Sequence, residues 1–250
     1  MRDAALLCGV GLVAGCVNAL AGGGSFLSVP ALVWLGVPPV SANMSSTLAL
    51  YPGSLASIWA SKKSLQGVGP LSLRVAVPVT LAGGICGAVL LLWLPRASFE
   101  AALPWLLLLG AILFVLGSAL PVPQGRRFRG GAPALVAVQF LLGAYGGYFG
   151  GAVGVMMLGA WAAFGATDIR VMNATKVVLV ATANTGAAVC FVVLGSIAWS
   201  QTLAMLVGAT AGGYVGARLG LRVSPARLRL GVGIFCVGLA AIFFYFKVLK

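Results

Sequence analysis

Ala82-Gly83-Gly84-Ile85-Cys86-Gly87-Ala88 reads A-G-G-x-x-G-A, and Ala211-Gly212-Gly213-Tyr214-Val215-Gly216-Ala217 reads the same about 130 residues later. The same offset, within two or three residues, aligns Gly11-x-x-x-Gly15 with Gly143-x-x-x-Gly147. It also aligns Asn43-Met44-Ser45-Ser46 with Asn173-Ala174-Thr175-Lys176. Internal duplication inside an almost wholly apolar chain, with interrupted helices, is the usual build of a secondary transporter whose site lies between the halves.

The chain of 250 residues is 61% hydrophobic and 8% charged, whereas a soluble domain carries about a quarter charged residues. Several apolar runs reach the roughly 20 residues that cross a bilayer core, so the expected class is an all-α polytopic membrane protein. The first run, 4–22, has one cation before it and no A-x-A site followed by a soluble mature chain, and reads as a span rather than a signal peptide. The formal charge of +13 comes from 16 Lys and Arg against 3 acids. The cations sit in short loops between apolar runs, where they set topology and meet lipid headgroups. No nucleic-acid partner is expected.

Cys8, Cys16, Cys86, Cys190 and Cys236 lie in apolar stretches without C-x-x-C spacing, as small buried hydrophobes do. Histidine is absent, and Asp3, Glu100 and Asp168 each stand near a segment end. Metal hydrolysis, paired-carboxylate chemistry and a Ser-His-Asp triad lack their parts. The expectation is no enzyme, no catalytic residue, no metal and no cofactor.

Apolar segments run over 4–22, 25–36, 40–61, 71–94 and 101–120, then, after a Gly/Pro/Arg loop, over 134–150, 152–165, 171–195, 199–217 and 228–247. This divides one membrane domain into a first repeat (1–120), a basic cytoplasmic loop (121–133) and a second repeat (134–250). Segments 25–36 and 152–165 are too short to cross, and each follows a glycine break: Gly22-Gly23-Gly24, and Gly150-Gly151 with Gly154. Each half is therefore read as a glycine-broken, re-entrant-like helix pair plus three spans. Backbone exposed at membrane depth is tolerated only inside protein or along a wet cavity.

The cations test the topology. With Lys62 and Lys63 inside, Arg74, Arg126, Arg127, Arg129, Arg170, Arg218, Arg222, Arg227 and Arg229 also fall inside. Arg2, Arg96, Lys247 and Lys250 fall outside, and Lys176 remains in the membrane. Counting 134–165 as one crossing would move the Arg218–Arg229 cluster outside, against the positive-inside rule. The halves are thus expected to be inverted, with both termini extracytoplasmic and the two breaks approaching the midplane from opposite faces.

Gly208, Gly212, Gly216 and Gly220 form one small-xxx-small ridge, and Gly83 with Gly87 another. Such ridges let helix backbones approach closely in lipid. The consecutive glycines at 22–24 and 150–151 instead weaken a helix. A half-helix that restarts there offers unpaired N–H groups and a positive dipole end, which suits an anion. Lys176 sits one to two turns inside the 171–195 segment. It either snorkels to the interface or contacts a permeating anion. Asn43, Ser45 and Ser46 hold the matching place in the first half, with Asn173 and Thr175 beside Lys176 and Asn18 a turn before the first break. They serve either the site or helix–helix hydrogen bonds. Gly22, Gly23, Gly24, Ser25, Gly150 and Gly151 complete the candidate binding set. Tyr148, which crowds the second break, and Asp168 with Arg170 are candidate gating residues.

At these residues the chain resembles the TauE/SafE family of sulfite and organosulfonate exporters, also called the toluene-sulfonate uptake permease family. The resemblance runs through Gly11-x-x-x-Gly15, Ala21-Gly22-Gly23-Gly24-Ser25-Phe26-Leu27-Ser28-Val29-Pro30, Leu32, Gly36-Val37-Pro38 and Ala42-Asn43-Met44-Ser45-Ser46. Its second-half counterpart runs from Gly143 through Gly150-Gly151 to Asn173-Ala174-Thr175-Lys176, and the second break departs from it with Ala152-Val153-Gly154. The resemblance implies a bacterial inner-membrane transporter of sulfite, sulfoacetate, thiosulfate, related sulfonates or carboxylates. Expected partners are a small anionic substrate and the bilayer, with a homo-oligomer left open. The alternatives are a sulfur carrier or enzyme using a thiolate at Cys16 or Cys190, or an accessory membrane subunit.

Overall fold

A computed structural model describes residues 2–61, 66–68, 71–119, 131–219, 234 and 237–238. Nine helices are described: α1 (Arg2–Ala21), α2 (Ser25–Trp34), α3 (Pro39–Ser61), α4 (Leu73–Trp93), α5 (Arg96–Ala119), α6 (Gly131–Tyr148), α7 (Val153–Ala163), α8 (Ile169–Leu194) and α9 (Trp199–Leu219). They follow the apolar runs read from sequence. Two helices start early: α5 at Arg96, five residues before the expected run, and α6 at Gly131, inside the expected loop, where Pro133 is tolerated in a first helical turn. Lys62, Lys63, the Arg126–Arg129 stretch, Gly220, the cations from Arg222 onward and Cys236 lie outside the described residues.

Among the described residues four helices are long and apolar enough to cross a membrane: Arg2–Leu20, Leu73–Trp93, Arg96–Leu113 and Ile169–Leu194. Exposed Leu6, Val13, Leu90, Val193 and Val207 face outward, as lipid-facing side chains do. α2 and α7, at 10 and 11 residues, are short apolar helices packed inside. Each is bounded by glycines in the left-handed region. Gly22 (φ +75°) and Gly150 (φ +79°) break the chain before α2 and α7. Gly36 (φ +83°) and Gly165 (φ +89°) end those helices. The ends are closed alike, by Val37 N–H to the Leu32 carbonyl and Ala166 N–H to the Trp161 carbonyl, both at 3.0 Å. A glycine C′ residue permits this 6→1 closure.

The two glycine ridges pack as their spacing requires. A Cβ on Gly208, Gly212 or Gly216 of α9 would strike the backbone of Cys8, Leu12 or Cys16 of α1. A Cβ on Gly83 or Gly87 of α4 would strike Phe140 or Ala144 of α6. Each repeat motif therefore seats on the first helix of the other half. Helix pairing is symmetric throughout: α1·α9 is matched by α4·α6, α3·α9 by α4·α8, α2·α3 by α7·α8 and α1·α2 by α6·α7.

The register of these contacts gives relative directions. Successive pairs Cys8–Gly208, Leu12–Gly212 and Cys16–Gly216 run the same way along α1 and α9. Thr80–Gly143 and Gly84–Gly147 do so along α4 and α6. Along α3 and α8 the order reverses. Ser45 accepts from Ala198 N–H at 3.0 Å, the Tyr51 and Thr185 hydroxyls meet at 2.9 Å, and Thr175 donates to the Gln66 carbonyl at 2.8 Å.

Candidate functional site

The two glycine breaks meet in the interior. Phe26, in the first turn of α2, stands edge-on to Phe149 with ring centroids 5.8 Å apart. Gly151 lies under both rings, where a Cβ would collide with them. Gly24 is equally tight, against the Ala14 carbonyl, Asn18 and Leu50. The Ser25 hydroxyl and the Asn184 amide oxygen both approach Gly150. Ser25, Gly150 and Asn184 thus bring α2, the second break and α8 together. Gly23 is buried, and its carbonyl accepts Phe26 N–H at 3.1 Å. The N–H groups of Leu27 and Ser28 likewise bond the Gly24 carbonyl, and those of Val155 and Met156 bond the Ala152 carbonyl at the start of α7.

Lys176 lies beside this meeting point. It is 7% exposed, and its Nζ donates to Asn173 Oδ1 at 3.4 Å. Its stem crosses the first turn of α7 at Gly154, where a Cβ would press on Cδ and Cγ. Glycine at 154 is what admits the lysine. The side chain lines a cavity with Asn18, Ala19, Gly22, Ser54, Val177 and Val180. The lining holds one cation, two polar groups and no carboxylate. Asn18 Nδ2 donates to Ser54 Oγ at 3.2 Å across it, while that hydroxyl donates to the Leu50 carbonyl. The enclosed space of about 20 Å³ holds roughly one water.

Of the sequence-derived set, Asn18, Gly22 and Lys176 share this cavity, with Asn173 bonded to the lysine. Four polar members are engaged elsewhere. Asn43 Nδ2 donates to the Tyr148 carbonyl at 2.9 Å, and Ser45 holds the N–H of Ala198 before α9. Ser46 shares a 2.6 Å hydrogen bond with Ser28, and Thr175 holds the Gln66 carbonyl. Tyr148 stacks edge-on with Phe99 at 5.6 Å. Asp168 caps α8 by accepting the N–H groups of Arg170 at 2.9 Å and Val171 at 3.2 Å, and Asp168 and Arg170 are both exposed.

Sequence reasoning passed over Ser54, which looks like any serine in an apolar run until the fold sets it opposite Lys176. It also passed over a buried chain that bridges the two halves. Trp161 Nε1 donates to Gln139 Oε1 at 3.0 Å, Gln139 Nε2 to Thr80 Oγ1 at 2.8 Å, and Thr80 to the Ala76 carbonyl. An intramembrane Gln139 was the signal for it. A second, open cavity of about 340 Å³ lies between the α2–α3 and α8–α9 connections, lined by Gly36, Pro38, Ser41, Ser196 and Gln201 among others. Among the described residues no cluster of His, Cys, Asp and Glu gathers that could hold a metal ion.

The profile of the family described as "Sulfite exporter TauE/SafE" matches residues 7–243. The "Probable membrane transporter protein YfcA" of Escherichia coli strain K12 is 28% identical over 221 residues, 88% of this chain and 81% of that protein. A "Probable membrane transporter protein" of Haemophilus influenzae is 28% identical over 223 residues, 86% of this chain and 84% of its own. The "Probable membrane transporter protein ORF9" of a Sinorhizobium species is 30% identical over 212 residues, 82% of this chain and 78% of its own.

Proposed function

The chain belongs to the sulfite exporter TauE/SafE family, and on that premise we propose that this membrane transporter carries small sulfur-containing anions. Sulfite, sulfoacetate, thiosulfate and organosulfonates are the substrate class, moved by alternating access across a bacterial inner membrane. The observation that carries the reading is Lys176, a buried cation in a cavity lined by the amide of Asn18, the hydroxyl of Ser54 and the first glycine break. In such a site a cation attracts an anion by about 4 kcal/mol at about 4 Å for an effective dielectric of roughly 20, against about 1 kcal/mol in water.

The binding set is Asn18, Gly22, Ser54 and Lys176 around the cavity, with Gly23, Gly24, Ser25, Gly150 and Gly151 shaping the breaks and Asn173 orienting the lysine. Asn43, Ser45, Ser46 and Thr175 hold the neighbouring helices in place. A cavity sized for one water does not admit a sulfur oxyanion, so this is the closed state. Opening widens the space between the first glycine break and Lys176, with Tyr148, Asp168 and Arg170 as the gating residues. The reversed register of α3 against α8, which carry the matching Asn43 and Asn173, supports inverted repeats with re-entrant pairs. Arg74, Arg170 and Arg218 then share the cytoplasmic face and Arg2 and Arg96 the other, in keeping with the positive-inside rule.

The test is uptake of labelled sulfite, thiosulfate, sulfoacetate, taurine and simple carboxylates into proteoliposomes of purified protein. Saturable uptake of a sulfur anion, lost in Lys176→Met and kept in Lys176→Arg, is the expected result. Equal flux in all three proteins takes Lys176 out of the site. No uptake of any anion by folded protein rejects the reading.

A further inference from the structure

Asn43 is 1% exposed, and its Oδ1 is buried with no hydrogen-bond partner. Its orientation is set by its other atom: the Tyr148 carbonyl only accepts, so Nδ2 must face it. What remains is an acceptor, which repels an anion and calls for a donor or a positive charge. An acceptor buried without one costs about 1–3 kcal/mol, and native interiors rarely leave such groups unsatisfied.

The matching residue of the second half identifies what belongs there. Asn173 Oδ1 accepts from the Lys176 ammonium, three residues on and therefore on the same helix face. In the first half that position is Ser46, wholly buried and too short to return to Asn43, with its hydroxyl on Ser28. The first half keeps the acceptor and lacks the ammonium. The groups at hand on that face are oxygens: Asn43 Oδ1 itself, the Tyr148 carbonyl that ends α6 and meets the Asn43 amide, and, one turn on along α3, the Ser46 hydroxyl paired with that of Ser28, which also bonds the Gly24 carbonyl. A helix C-terminus carries the negative end of the dipole. Ends of interrupted helices with uncharged oxygens are where transporters bind coupling sodium. None of these ligands is a carboxylate, which favours a monovalent over a divalent cation.

We propose that the Asn43 face of α3 binds a sodium ion in the place where the second half carries the Lys176 ammonium. The role of that ion in coupling rests on the anion-transport reading; its binding does not. An entering sodium ion would balance the charge of an anion held at Lys176.

The direct test is the thermal unfolding midpoint of the purified protein in sodium, potassium and choline chloride at equal ionic strength. The wild type is expected to show a saturable rise of a few degrees in sodium alone. Because Asn43→Ala also removes the bond to Tyr148, the quantity read within each variant is the difference between salts. That difference is expected to vanish in Asn43→Ala. It should vanish also in Ser46→Lys, which supplies an ammonium from the same turn and keeps Asn43 should the first variant not fold. Equal wild-type midpoints in the three salts overturn the proposal and leave a water on Oδ1. A sodium shift that survives either substitution places the ion elsewhere and overturns it too. Anion uptake with sodium replaced by potassium on both sides separates the two readings. Undiminished uptake rejects coupling and leaves the anion site standing, whereas a sodium shift without uptake of any anion does the reverse.

Discussion

Ser46 and Lys176 occupy matching positions on α3 and α8, both buried, and they do different things. Ser46 closes on Ser28 of α2 at 2.6 Å, whereas Lys176 reaches past Gly154 of α7 into a cavity with Asn18 and Ser54. The short helices differ in a related way. Trp161, four residues before Gly165, is tied through Gln139 to Thr80, and Gln139 is wholly buried. The matching positions, counted from Gly36, Gly11 and Gly212, are Leu32 and Leu7 of the first half and Ala209 of the second, all buried and all apolar. Hydrogen bonds fix direction, and apolar contact does not. The halves share the glycine seats and turn closures but not the polar chemistry, which is hydroxyl-rich and uncharged in the first and includes the Lys176 cation in the second. The second half thus ties its short helix through an indole–amide–hydroxyl chain, and the first ties its own through the Ser28–Ser46 hydroxyl pair.

The largest effect should come from attacking what the halves share. Gly87→Leu drives a side chain into the Ala144 carbonyl, and Gly208→Leu into that of Cys8. Neither backbone has room to yield, and the overpacking exceeds the usual 1–3 kcal/mol, on the order of the whole stability margin. Both variants are expected to lose the monodisperse folded peak in fluorescence-detected size exclusion. Survival of one and not the other would show that the two seats are not equivalent. The next effect is confined to one half. Lys176→Met should lower anion uptake at least about tenfold, the equivalent of roughly 1.4 kcal/mol, with membrane insertion unchanged and Lys176→Arg close to wild type.

A subtler change should make the second half behave like the first. Trp161→Phe keeps an aromatic ring of smaller volume and strands Gln139 Oε1, the unpaired oxygen alone costing about 1–3 kcal/mol. Hydrogen exchange of α7 is expected to rise toward that of α2, and adding Gln139→Leu should recover most of the stability, since both polar partners are then gone. Exchange already equal in α2 and α7 of the wild type would remove the contrast between the two short helices.

The glycines made the fold legible, because consecutive glycines interrupt a helix and glycines four apart seat one, whatever surrounds them. Both breaks and the two close seats follow from that, whereas which helix fills each seat does not. The site was legible only in part. Lys176 stood out as a charge at membrane depth, but Ser54 needed the α1–α3–α8 arrangement to gain meaning. Thr175 was grouped with Asn173 and Lys176 by proximity in sequence. A helix turns about 100° per residue, so Thr175 points away from the face shared by Asn173 and Lys176 and toward the α3–α4 connection. The same phase turns Ser45 away from Asn43 and Ser46 and toward the α8–α9 connection.

Those two outward residues make the smallest and most symmetric prediction. Ser45 fastens Ala198 and Thr175 fastens Gln66, so each half clasps the connection that follows the third helix of the other. The clasps differ in polarity: Ser45 accepts from a backbone N–H, while Thr175 donates to a backbone carbonyl. Removing a hydroxyl from either should cost about 0.6 kcal/mol, the usual worth of a hydrogen bond inside a membrane protein. Ser45→Ala and Thr175→Val are therefore expected to lower the unfolding midpoint slightly and by similar amounts. Their double variant should show additive loss, because the clasps sit at opposite ends of the antiparallel α3–α8 pair and share no partner. Strong non-additivity would mean that both clasps report on one movement of α3 against α8. In that case the closed state described above is held shut from its two ends together.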